Sequence, residues 1–254
     1  MKPFLGFLKK EWKESLRTYK FFILVLSFSI FGIISPLTAK FTPQLIENFI
    51  PDGFLMNIPE PVAMNSWIQY IKNISQIGMF LLALLFSGQM SQELLNHRLT
   101  MILAKGLPRY KVILAKFTLG VILWTIAYGI SYLWFFGYTK YFWDINLTPR
   151  MVMLLFLPWL FGLSVITSNL LGGMLSPSNY GSLLFTSILI LFQFLGKLFP
   201  KVVRYLPINL LLGFIPLLKR EFPLSEYFPV LGITVFYIIF MLLLSILLFH
   251  RKEM

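Results

Sequence analysis

ELLNHRLTMILAKGLPRYKVILAK, residues 93–116, lies between two long apolar runs yet concentrates His97, Arg98, Lys105, Arg109, Lys111 and Lys116. A basic loop of this kind stays in the cytoplasm while its neighbours insert, because cytoplasmic loops of membrane proteins carry the Lys/Arg excess. The runs on either side therefore read as opposite crossings of a bilayer. Within the stretch, Leu94, Leu95, Leu99, Ile102 and Leu103 recur at three- and four-residue spacing, the pattern of a helix with one apolar face. Gly106 and Pro108 end that helix. A short amphipathic helix at the cytoplasmic mouth of a membrane bundle can receive mechanical input from a soluble partner.

Composition agrees with this frame. Hydrophobic residues make up 57% of the 254 and charged residues 13%, and the mean hydropathy is +0.78; a soluble domain of this length is excluded. There is no cysteine and there are only two histidines, so no disulfide framework or thiolate site forms and metal catalysis is not expected. A formal charge of +12 would suggest nucleic acid in a soluble protein. Here much of it flanks apolar spans, and attraction to anionic membrane lipid explains it without a nucleic-acid partner. No small-residue cleavage site follows the first apolar run, which reads as an uncleaved span.

Working outward toward the amino terminus, residues 1–20 read as an interfacial helix. Phe4, Leu8, Trp12 and Leu16, with Phe7 and Tyr19, fall in one arc at helical spacing, opposite Lys9, Lys10, Lys13, Glu14 and Arg17. Glu11 intrudes on the apolar arc. The helix is either an elbow that docks on a cytoplasmic partner or a basic-flanked membrane anchor. Six spans are expected, at 21–39, 73–90, 117–139, 151–174, 181–196 and 229–250, with both ends cytoplasmic. Residues 91–116 form the cytoplasmic loop. Residues 197–228 read as an exterior re-entrant or interfacial segment, because the apolar stretch 205–218 is broken by Pro207 and Pro216. In this topology thirteen of the 22 Lys/Arg lie inside and nine outside, a bias of the expected sign.

The run Leu99, Ile102, Leu103, Ala104, Gly106, Leu107, Pro108, Arg109 and Lys116 resembles the loop after the second span of the ABC type-2 permeases, the membrane subunits of ATP-binding-cassette exporters. Glu93, Leu99, Arg109 and Lys116 match the family pattern; His97, Arg98, Gly106 and Pro108 stand where that family usually has Gly, Thr, Pro and Ser. With the spacing of the spans, the resemblance covers nearly the whole chain. It implies an all-α polytopic fold of six transmembrane helices with an amino-terminal interface helix, a coupling helix after the second span, and short exterior helices between spans five and six. It also implies a dimer, with itself or a paired permease, above two copies of a cytoplasmic ATPase that bind ATP and Mg. Glu93, His97, Arg98, Leu99, Ile102, Leu103 and Arg109 would then form the ATPase-coupling surface, leucines filling a groove of the partner and basic groups pairing with its acids. The residue-level alternative is that these charges serve only as topology determinants, although topology alone does not require leucines at helical spacing.

None of the six expected spans carries Asp, Glu, His, Lys or Arg in its interior. Ion-driven carriers and intramembrane hydrolases need such groups, so neither class is expected. No G-x-x-x-x-G-K-[ST] phosphate loop is present either, so the chain does not itself split ATP and no cofactor of its own is expected. Two stripes remain open. Trp124, Tyr128, Tyr132 and Phe136 recur every fourth residue and either line a substrate path or pack. Ser164, Ser168, Gly172 and Ser176 lay small residues on one side of the fourth span, for packing within one bundle or for a dimer contact. Gln76, Gln89, Asn169 and Gln193 are expected to hydrogen-bond between helices. The sequence thus supports two functions: an exporter permease for a hydrophobic or amphipathic substrate, such as an antimicrobial peptide or a lipid-like molecule, or a scaffold, immunity factor or channel that uses no ATP.

Overall fold

The computed structural model describes residues 2–49, 60–95, 106–144, 148–176, 178, 180–219 and 223–252. Among these the secondary structure is entirely helical. The long elements are α1 (Lys2–Arg17), α2 (Lys20–Phe49), α3 (Ala63–Asn73), α4 (Met79–Phe86), α5 (Ser91–Leu95), α6 (Arg109–Trp143), α7 (Pro149–Leu175) and α8 (Gly181–Leu195). They are followed by the short α9 (Pro200–Val203), α10 (Asn209–Leu212) and α11 (Phe214–Leu218), and by α12 (Phe228–Arg251). A π-helical turn, Ile74–Gly78, joins α3 to α4 as one continuous rod.

Among the described residues, five helical segments are long and apolar enough to cross a membrane: Lys20–Gln44, Ala63–Leu95, Arg109–Trp143, Arg150–Leu175 and Leu224–Arg251. The chain is a polytopic membrane protein. The expected fifth span differs in kind, since α8 has only 15 residues and reaches about 22 Å against a hydrocarbon thickness of about 30 Å. Gly196 and Pro200 break the helix there, and the chain continues as short helices that fold back on α7. Ile208, Leu210, Leu211 and Leu217 from this segment are buried. The second span also differs from expectation: it begins at Ala63 rather than at residue 73 and is interrupted after Phe86. Ser87 is extended and Gly88 sits at φ +72°, a conformation glycine adopts without steric penalty. Irregular backbone at depth needs partners. Gly88 N–H donates to Ser182 Oγ at 3.1 Å, and the Gln89 carbonyl accepts from Lys116 Nζ at 3.2 Å.

Polar contacts define two poles of the bundle. At one, Arg109 Nη1 donates to the carbonyls of Phe249, His250 and Lys252 at 3.0, 2.7 and 2.7 Å. Lys252 Nζ reaches Met174 O at 3.0 Å, and Lys116 meets Glu11. The beginning of α6 and the ends of α7 and α12 therefore lie together with α1. At the other pole, Ser66 pairs with Thr139 at 2.8 Å, Trp143 Nε1 donates to Pro61 O at 2.7 Å and Arg150 reaches Leu217 O at 3.4 Å. The amino-terminal helix and the end of α12 thus share a pole.

Between the poles the helices pack through aromatic and small residues, as membrane bundles must where no hydrophobic driving force acts between helices. Tyr70 stacks on Phe135 with centroids 4.2 Å apart, and Phe28 meets the Trp124 indole edge-on at 5.0 Å. A Cβ at Gly162 would stand 2.5 Å from the Trp124 ring, so only glycine lets α7 approach α6 here.

Candidate functional site

The sequence departs from simple amphipathicity at Glu11, and the structure explains the departure. The face that α1 turns to the bundle is the row Phe7, Glu11 and Ser15, each buried. Phe4, Leu8, Trp12 and Leu16 flank that row half-buried, with the Trp12 ring 5.7 Å from Phe21. The Glu11 carboxylate needs a cation on that face, and α6 supplies it. Lys116 Nζ lies 3.0 Å from Glu11 Oε2 and 2.8 Å from Glu93 Oε2. Lys10 closes the ring, contacting Glu11 Oε1 at 2.9 Å, Glu14 Oε2 at 3.2 Å and Glu93 Oε1.

Lys116 is 1% exposed, and Glu11 and Glu93 are each 4% exposed. Lys10, Glu11, Glu93 and Lys116 carry no net charge together, which makes their burial tolerable: an unpaired charge there would cost several kcal/mol, roughly, in desolvation. Burial by itself would lower the Lys10 pKa, but Glu11 and Glu93 outweigh it and hold that ammonium well above its ordinary range. The carboxylates of Glu11, Glu14 and Glu93 approach within 4.8 Å of one another. Two ammonium groups already lie among them, so an added cation would have to displace a lysine. The chemistry of this knot is ion pairing, and its mechanical effect is to lash α1, α5 and α6 together.

This placement revises the expected loop boundary. The loop was expected to run to Lys116, with the third span opening at Phe117; α6 begins at Arg109, which puts Lys116 about two turns inside a continuous helix. The statement that no charge lies within the spans holds only for the sequence-drawn boundaries, because a paired lysine does not end a helix. Glu93, expected on a partner-facing surface, is sealed in the knot. Arg109, expected to pair with a partner's acid, uses Nη1 on the last carbonyls of α12, which have no intrahelical donors of their own. His97, Arg98, Leu99, Ile102 and Leu103 lie outside the described residues.

Residues of both stripes make contacts inside the bundle. Trp124 and Tyr128 are buried against α7, donating to Trp159 O and Leu155 O at 2.9 Å each; Tyr132 and Phe136 are half-buried with rings 5.7 Å apart. Ser164 and Ser168 are buried, and Ser168 pairs with Tyr237 on α12 at 2.8 Å. A Cβ at Gly172 would stand 2.9 Å from Ser182 Cα on α8, and Ser176 pairs with Ser178 at 3.1 Å. Asn169 accepts from Ser182 between helices at 3.4 Å, whereas Gln89 and Gln193 keep buried Oε1 atoms without partners, contrary to expectation.

No protein-family model matches the chain. Over 138 residues it is 23% identical to an uncharacterized transmembrane protein, YxlG, of Bacillus subtilis strain 168; the aligned region takes 52% of this chain and 54% of that protein. The chain therefore spans about half the length of the curated relative it matches. The likeness agrees with a membrane protein.

Proposed function

We propose that this chain is the permease subunit of an ATP-binding-cassette exporter in a bacterial cell membrane. It has six crossings, the short α8 among them, both ends in the cytoplasm, and a dimeric assembly with itself or a paired permease. Two cytoplasmic ATPase subunits bind ATP and Mg and do the hydrolytic work, and a hydrophobic or amphipathic substrate leaves through the bundle. The observation that supports this reading is the buried ion knot. It joins the amino-terminal helix, the segment entering the basic loop and the helix leaving it, so a displacement of residues 96–105 would move α1 and α6 as one body. A loop that served topology alone has no need of such a brace.

The test is whether an adjacent reading frame encodes an ATPase, recognised by its phosphate loop, and whether that protein co-purifies with this chain. Arg98→Glu with Leu99→Asp should release the ATPase. Glu93→Gln should keep it bound while weakening the link between hydrolysis and transport. Retained ATPase and full transport in the first variant would remove the coupling role, and a neighbourhood without any such ATPase would favour the scaffold, immunity factor or channel.

A further inference from the structure

Away from the knot, a groove of about 770 Å³ runs between the α3–α4 rod, α8 and the short helices α10 and α11. Its floor is apolar, formed by residues such as Met79, Ala83, Phe161, Ile190 and Leu211, and among the described residues Lys72 is the single charged one in its lining. The π-turn Ile74–Gly78 faces it through Ser75 and Gln76, and such turns recur at functional sites. Ser75 Oγ is buried there without a hydrogen-bond partner. The lip carries Phe80, Leu191 and Phe194, large apolar side chains that are 58%, 57% and 47% exposed, so the groove opens sideways toward the hydrocarbon.

Lys72 lies toward the pole opposite the knot and Ala83 lies deeper. The eleven-residue step from one to the other rises about 16 Å, close to half of the ~30 Å hydrocarbon layer, the depth of one leaflet. A peptide lying in this groove would bring backbone N–H and C=O groups to an apolar floor that cannot pair them. An acyl chain brings none. At the head, Lys72 offers charge to a phosphate, and among the described residues the lining contains no carboxylate to receive an ammonium group.

The geometry points to a resident anionic phospholipid, with one acyl chain laid along the groove and the headgroup phosphate at Lys72. This also gives the α10–α11 segment a role, as one wall of the lipid site. The inference does not depend on coupling to an ATPase.

The natural chain has no cysteine, so Phe80→Cys labelled with bimane carries a single reporter at the lip. Leu133→Cys, at a position 69% exposed on α6, carries one facing bulk lipid. In vesicles of phosphatidylcholine and phosphatidylglycerol with bromine on the phosphatidylglycerol chains alone, quenching at residue 80 should correspond to an enrichment of about fivefold over the bulk, as one lysine near the surface provides. Quenching at residue 133 should follow the bulk composition. Lys72→Gln, a change at an exposed side chain, should abolish the enrichment and leave residue 133 unaltered. Bulk-level quenching at residue 80, or enrichment that survives Lys72→Gln, overturns the inference.

Discussion

Replacing Lys116 by methionine removes the cation that bridges two buried carboxylates. Glu11 and Glu93 keep Lys10 between them, but the site changes from neutral to a net charge of −1 at positions 4% exposed. Breaking a buried pair by deleting one partner costs about 3–5 kcal/mol, because the surviving charge stays desolvated; with Lys10 still in place the lower end, about 3, is expected. Glu11→Gln alone leaves the opposite imbalance and should also destabilise. The double variant Glu11→Gln, Lys116→Met restores neutrality, and although it deletes more contacts it should be more stable than Lys116→Met alone. The expected coupling lies in the range of about 0.5–3 kcal/mol for contacting residues. Unfolding in mixed micelles, followed by circular dichroism as denaturing detergent is added, measures all four members of the cycle. A double variant whose loss equals the sum of the single losses would refute charge neutrality as the basis of the knot.

Arg109→Ala deprives the last carbonyls of α12 of their donor and should cost about 1.5–3 kcal/mol, the range for hydrogen bonds to charged groups; faster amide exchange in the final turn of α12 is the local readout. Gly162→Ala drives a methyl into the Trp124 indole, which is fixed to Trp159 O, and should lose about 1–3 kcal/mol as overpacking does. Gly129→Ala, with nothing within 4 Å of the new Cβ, should lose nothing in the same detergent-unfolding assay. The raised pKa of Lys10 means that its contribution to stability is fully present below the ordinary value of 10.5 and fades only as pH climbs through the higher folded value. Unfolding curves of Lys10→Met and wild type should therefore differ at neutral pH and converge at strongly alkaline pH.

The apolar helices were legible in the sequence because a run of apolar residues long enough for the bilayer is a local property, and α7 and α12 lie within one or two residues of their expected bounds, whereas the ends of α2, of the α3–α4 rod and of α6 shifted where packing extended or broke them. Local order also exposed Glu11 as an anomaly on the apolar arc, and the family resemblance singled out Glu93 and Lys116, though it placed Glu93 on a surface facing a partner. What answered it could not be read in the same way. Glu11, Glu93 and Lys116 are far apart in the chain, and each alone looks like a helix-flanking charge. Only the packing of α1 and α5 on α6 sets their oppositely charged groups about 3 Å apart, out of water, where they bind strongly enough to keep a lysine inside a helix instead of at its end. The same holds for the groove beside Lys72: its residues come from four stretches of chain, and its volume exists only where those stretches fail to fill the space between them.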